Sequence, residues 1–158
     1  MHLEKMNDLF NERKYEEALS LGKIWVEKEP ENGVAYAYTA FSCDSLGYER
    51  EAVPYYEKAR MLNLEADLRR EVLLGLGSTY RTIGEYEKSE KILKMGMEEF
   101  PNAREFPVFY TLVLHNLKKH TEGMSILLKQ LLETTRCDDI KKYEKALLFY
   151  SDHLDEIW

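Results

Sequence analysis

Apolar and small residues return along this chain at the spacing of one helix face, broken at regular intervals by short turns. The stretch from Tyr36 to Ala59 shows the pattern best. Tyr36, Ala40 and Cys43 step by four and then three, Gly47 interrupts, and Ala52, Tyr56 and Ala59 repeat the same steps. Steps of this kind keep residues on one side of a helix, and a glycine between two such runs ends the first of them. The pattern predicts helix, short turn, helix.

That unit recurs. Tyr15-Glu-Glu-Ala18, Glu49-Arg-Glu-Ala52, Tyr86-Glu-Lys-Ser89 and His120-Thr-Glu-Gly123 align, with first residues 34, 37 and 34 apart. Each closing small residue has a partner 12 positions earlier, at Met6, Ala40, Gly77 and Thr111. Gly47 and Gly84 precede two of the segments, and Pro30 and Pro101 end two units, each with an Asn within two residues. Self-similarity at a fixed period marks a repeat array. Its units fall at about residues 1–32, 33–66, 70–103 and 104–137, followed by a helix over 138–158, all in one domain. Gly75, Gly77 and Gly96 lie inside helical patterns, where each costs about 1 kcal/mol relative to alanine. They are expected at helix crossings, where close packing returns that cost. Pro54, well inside the second helix of its unit, is expected to bend that helix or mark a later start.

The 34-residue helix–turn–helix unit resembles the tetratricopeptide repeat, whose pattern has an aromatic, a small residue, an aromatic, then Ala, an aromatic, Ala and Pro. The second unit sets Tyr36, Ala40, Cys43, Ala52, Tyr56 and Ala59 at those sites, with Leu64 where the proline would fall. The third sets Leu73, Gly77, Tyr80, Ser89, Leu93, Gly96 and Pro101 there. The first keeps Tyr15, Ala18 and Pro30 but carries His2 and Trp25 at an aromatic and an alanine position. The fourth is degenerate, with Pro107, Thr111, Leu114, Gly123, Leu127 and Gln130. The resemblance spans about residues 1–135, and as a whole the chain resembles small stand-alone bacterial repeat proteins. It implies an all-α fold, a right-handed superhelical solenoid of about four helix-turn-helix repeats plus a C-terminal capping helix. It also implies a concave groove, lined by the first helix of each unit, that holds a peptide segment of a partner protein.

In this register the groove-facing residues include Asn7 and Phe10 from the first unit, then Ala37, Tyr38 and Phe41, then Leu74, Ser78 and Arg81, and last Phe109, Leu112 and His115. Packing between neighbouring units is the competing reading for Phe41, Phe109 and Leu112. Chaperone-binding members of the family hold a peptide's terminal carboxylates with Lys and Asn. The corresponding sites here are Leu3, Asn7, Tyr38, Glu71 and Gly75, which keep one Asn and replace the cations. Glu71 would repel a carboxylate and nothing would offset its desolvation, so that specialised activity is excluded.

Near the C-terminus Ile140, Tyr143, Leu147, Tyr150, Leu154 and Ile157 or Trp158 step by three and four, an apolar stripe. Asp138 and Asp139 stand where a helix N-terminus takes a cap. Tyr143, Leu147, Tyr150, Leu154 and Trp158 carry either of two roles. They cap the last repeat, whose apolar face otherwise has no neighbour, or they form a seam that pairs two chains.

Composition narrows the function more than the fold. The 158 residues hold 22 Lys plus Arg against 29 Asp plus Glu, a net charge of −7. That sign disfavours nucleic acid and an anionic membrane as partners. The balance is −4 over residues 1–64, −2 over 65–102 and −1 over 103–158. The acid sits largely on second helices, at Glu16, Glu17, Glu27 and Glu29, away from the expected groove. Without a signal-like or membrane-length apolar stretch, and with Cys43 and Cys137 far apart, the chain reads as cytoplasmic with reduced thiols. His115 and His120 are five apart and do not share a face of one helix, so no metal is expected, and no cofactor motif is present. No nucleophile has a base at known spacing, so no catalysis is expected. The expectation is a non-enzymatic protein-interaction module, with a structural homodimer, joined through the C-terminal stripe or a solenoid face, as the alternative.

Overall fold

The structure, a computed structural model, describes every residue from Met1 to Trp158 and holds ten helices and no strand. Eight helices form consecutive pairs: α1 (His2–Asn11) with α2 (Tyr15–Lys28), α3 (Gly33–Ser45) with α4 (Glu49–Met61), α5 (Ala66–Thr82) with α6 (Tyr86–Glu99), and α7 (Glu105–Asn116) with α8 (His120–Thr134). Two short ones follow, α9 (Asp138–Lys141) and α10 (Glu144–Ser151). The chain divides into two compact units, Met1–Ile92 and Leu93–Trp158, with the boundary inside α6.

The four turns within pairs share one conformation. Arg13, Gly47, Gly84 and Lys118 all adopt left-handed backbone, with φ of 57°, 74°, 82° and 62°. The next N–H then reaches back five residues: Lys14 to Leu9, Tyr48 to Cys43, Glu85 to Tyr80 and Lys119 to Leu114, at 2.8–2.9 Å. These bonds satisfy carbonyls that a helix end leaves open. Two of the four positions are glycine, which takes this conformation without strain, and two are long cations.

In the first unit Met6, Leu9, Ala18, Trp25 and Ala35 form a buried cluster across α1, α2 and α3. Trp25 fills the site of a repeat alanine and stacks on His2 at 5.4 Å. Asn32 starts α3, its Oδ1 accepting from Val34 N–H at 3.0 Å and Ala35 N–H at 3.3 Å. α4 begins at Glu49 and continues through Pro54, so the proline does not delay its start. Gly75 of α5 lies against Tyr56 of α4; a Cβ there would come within 2.5 Å of the phenol oxygen. The Ser89 hydroxyl of α6 donates to the Gly77 carbonyl of α5, which joins that pair at its small-residue crossing.

In the second unit Gly96 lies against the Phe106 ring, which stacks with Phe100 at 6.2 Å. Gly123 faces Thr111, with room for a Cβ 3.6 Å from its carbonyl oxygen. The C-terminal segment differs from the single helix expected over 138–158. It breaks at Lys142 and Tyr143, where the Tyr143 N–H bonds to the Ile140 carbonyl in a tighter three-residue turn, and helix ends at Ser151. Neither Asp138 nor Asp139 caps a helix: α9 starts at Asp138 with Cys137 at its N-cap position, so both carboxylates lie in its first turn. α10 packs on α8. Ser151 is buried and Leu147 half-buried there, while Tyr143, Tyr150, Leu154 and Trp158 stay exposed.

Candidate functional site

On the first unit, the residues singled out from the first helices meet in one aromatic run. Asn7 and Phe10 come from α1, one helical turn apart, and Tyr38 and Phe41 from α3 at the same spacing. The Tyr38 hydroxyl donates to Asn7 Oδ1 at 2.8 Å. Its ring meets Phe10 edge-on at 5.7 Å and Phe41 at 5.8 Å, and Phe41 in turn meets Tyr56 at 5.8 Å. Edge-to-face pairs at these separations are the favoured aromatic geometry. Tyr38 and Phe41 are half-buried and Asn7 is exposed, so the run is held from beneath and open above. Burial, and then the Glu71 charge on α5, push the Tyr38 phenol above its ordinary pKa. It therefore stays a neutral hydrogen-bond donor.

Leu74, Ser78 and Arg81 follow at i, i+4 and i+7 on α5, which touches α3. All three are half-buried. Ala37, placed on the same surface by its register, is instead fully buried.

Beneath this surface lies a polar node that the sequence did not announce. Asp44, at the end of α3, accepts the Tyr56 hydroxyl at 2.5 Å and the Thr79 hydroxyl at 3.0 Å on each oxygen. Three helices, α3, α4 and α5, are thus tied to one carboxylate. Burial raises the Asp44 carboxyl above its ordinary pKa, and the Tyr56 and Thr79 hydrogen bonds partly oppose it. The Tyr56 phenol is pushed far up, chiefly by its own burial and then by the Asp44 charge.

On the second unit, Phe109, Leu112 and His115 all lie on α7, but Leu112 and His115 face a space shared with α8 rather than a first-helix surface alone. They line an open pocket of about 290 Å³ with Thr111, His120, Met124 and Leu127. His115 and His120 end one helix and begin the next, and their rings approach to 5.0 Å. The pair leaves no signature on any single helix face, because the contact runs across the turn at Lys118. No group of three or more His, Cys, Asp or Glu converges in the chain, and no helix is long and apolar enough to cross a membrane.

No curated protein matches the chain in sequence. Among solved structures the chain is similar to YrrB, a TPR protein with an unusual peptide-binding site, at a TM-score of 0.74 and 17% identity, covering 98% of this chain and 78% of that one. It is also similar to a chain of the Naa15/Naa10 complex bound to HypK-THB, at a TM-score of 0.63 and 14% identity. There it covers 98% of this chain and spans 22% of the length of that one. These likenesses show the helical repeat fold. Residues 33–154 match the family model of the Tetratrico peptide repeat, and the chain, with its recurring helix pairs and small-residue crossings, belongs to that family.

Proposed function

We propose that the chain is a non-enzymatic, cytoplasmic interaction module whose first-helix surfaces bind an extended segment of a partner protein. The observation that carries this reading is the Phe10, Tyr38, Phe41 run, fixed by the Tyr38–Asn7 hydrogen bond and open on one side. Rigid aromatics of this kind give large contact area at little cost in side-chain entropy. Leu74, Ser78 and Arg81 extend the surface on α5. The family and the likeness to a peptide-binding TPR protein support the same reading. A mostly apolar segment with modest charge suits a surface that is aromatic in the middle and carries both Glu71 and Arg81. Selection from a displayed peptide library is expected to yield such segments, with affinity lowered roughly tenfold or more by Tyr38→Ala. Selected peptides indifferent to both Tyr38→Ala and Phe41→Ala would remove the proposal.

A second reading is favoured by the C-terminal aromatics. Phe149, Tyr150 and Trp158 are 49%, 49% and 76% exposed and touch one another at 5.7–6.2 Å. A homodimer would bury them. Sedimentation at micromolar concentration separates the readings: a dimer dispersed by Tyr150→Asp with Leu154→Asp supports this one, and a persistent monomer rejects it.

A further inference from the structure

In the first unit the α3/α4 pair is covered by the first helix that follows it. α5 lies on α4, with the Gly75 backbone against Tyr56 and the Thr79 hydroxyl on Asp44. The α7/α8 pair occupies the same register 71 residues later, with Leu127 at the position of Tyr56 and His115 at that of Asp44.

No helix takes the place of α5 there. α10 packs on α8, and the segment that follows it is held to α8 by Lys129–Asp152 at 2.6 Å and Thr121–Asp155 at 3.0 Å. At roughly 100° per residue, Thr121 and Lys129 point about a quarter-turn or more away from Leu127 and Leu131. With α10 in place, Leu112, Met124, Leu127 and Leu131 remain 42%, 50%, 44% and 43% exposed. They line two open pockets of about 290 and 380 Å³ that adjoin at Met124 and Leu127. A contiguous apolar surface of this kind is an interaction site.

We propose that the α7/α8 face docks one amphipathic helix of a partner protein, seated as α5 is seated on α3/α4, with a small residue against Leu127 and a carboxylate against His115 and His120. The small residue follows from Gly75, which lets α5 approach Tyr56. The carboxylate follows from an exchange of chemistry at one register position. Where α3 presents an acceptor, Asp44, and α5 answers with a hydroxyl, α7 presents an imidazole beside a second imidazole, and the matching group is an acceptor. A second copy of this chain does not supply that helix. In α1 the position of Thr79 is held by Asp8, a carboxylate, but those of Gly75 and Leu76 are held by Glu4 and Lys5, which would set charges on the apolar face.

The probe is a labelled 17-residue peptide with the sequence of α5, Ala66–Thr82, carrying Thr79→Glu and a hydrocarbon staple on its outward side. It is titrated into the full chain and read by fluorescence anisotropy. Saturable binding is expected, weakened roughly tenfold or more by Leu127→Asp in the protein and several-fold when Thr79 is restored in the peptide. His115→Ala with His120→Ala weakens the Glu peptide and leaves the Thr peptide unchanged, which keeps the test independent of any folding defect in the Leu127 variant. Absence of saturable binding, or binding indifferent to both protein variants, overturns the proposal. So does a self-associated state dispersed by Leu127→Asp, which would assign the face to a second copy.

Discussion

Asp44 receives the Thr79 hydroxyl on both of its oxygens at 3.0 Å, so the end of one repeat's first helix reads the position of the next repeat's first helix. The bond spans 35 residues of sequence and sits beneath the aromatic run of the proposed binding surface. A carboxylate in that position is an electrostatic liability as well as a link.

Burial is the larger influence on Asp44 and holds its carboxyl above the ordinary value of 3.8. Between that value and the folded-state one, the folded protein keeps a proton that the unfolded chain has released. Stability from Asp44 is therefore greatest on the acid side and declines as pH rises through the window. Asp44→Asn keeps an acceptor for Tyr56 and removes the titration. Urea unfolding between about pH 3 and pH 7 is expected to show the variant gaining on the wild type as pH rises. A difference constant with pH would reject this account of the node.

Gly75→Ala is expected to destabilise by about 1–3 kcal/mol, because the new Cβ meets Tyr56 at both its oxygen and Cζ. Tyr56 is 2% exposed and tied to Asp44, so it cannot swing aside freely. For a chain of this size the loss corresponds to a melting temperature lower by roughly 3–10 °C. Gly123→Ala is the matched control, since its Cβ would find ordinary contact distances.

Arg13→Gly and Lys118→Gly are expected to stabilise the protein, each by up to about 1 kcal/mol. Both residues hold positive φ at turns where the equivalent sites are Gly47 and Gly84. Relief of strain outweighs the added freedom of the unfolded chain. Thermal melts of the single and double variants measure the gain, and any loss would show that the side chains make stabilising contacts.

Thiol labelling should separate the two cysteines cleanly. Cys43 is buried, and burial pushes its thiol up to about 12, whereas Cys137 is exposed. Since the thiolate is the reactive form, iodoacetamide near pH 8 is expected to modify Cys137 alone in the folded state and both in urea. Native labelling of Cys43 would mean that the α3/α4 crossing opens readily.

The helix pairs were legible in the sequence because their signals are local. The aligned segments beginning at Tyr15, Glu49, Tyr86 and His120 begin α2, α4, α6 and α8. Gly75 and Gly96 read as crossings and lie against Tyr56 and Phe106. What escaped reading depends on partners distant in sequence or on backbone that overrides residue preference. Asp44 has partners 12 and 35 residues away, beyond the reach of a local pattern. Arg13 and Lys118 have no preference for left-handed backbone, which the surrounding helices impose. The regular stripe from Ile140 to Trp158 said nothing of the tight turn at Tyr143 that splits it.

The shared turn of the four pairs bears on how the chain reaches its native state. Each hairpin closes over a few residues, and local closure of this kind favours fast folding with many possible starting points. The glycines at 47 and 84 enter the left-handed region at no steric cost, while Arg13 and Lys118 hold it against one. Folding is therefore expected to start at the hairpins closed by Gly47 and Gly84, ahead of those closed by Arg13 and Lys118.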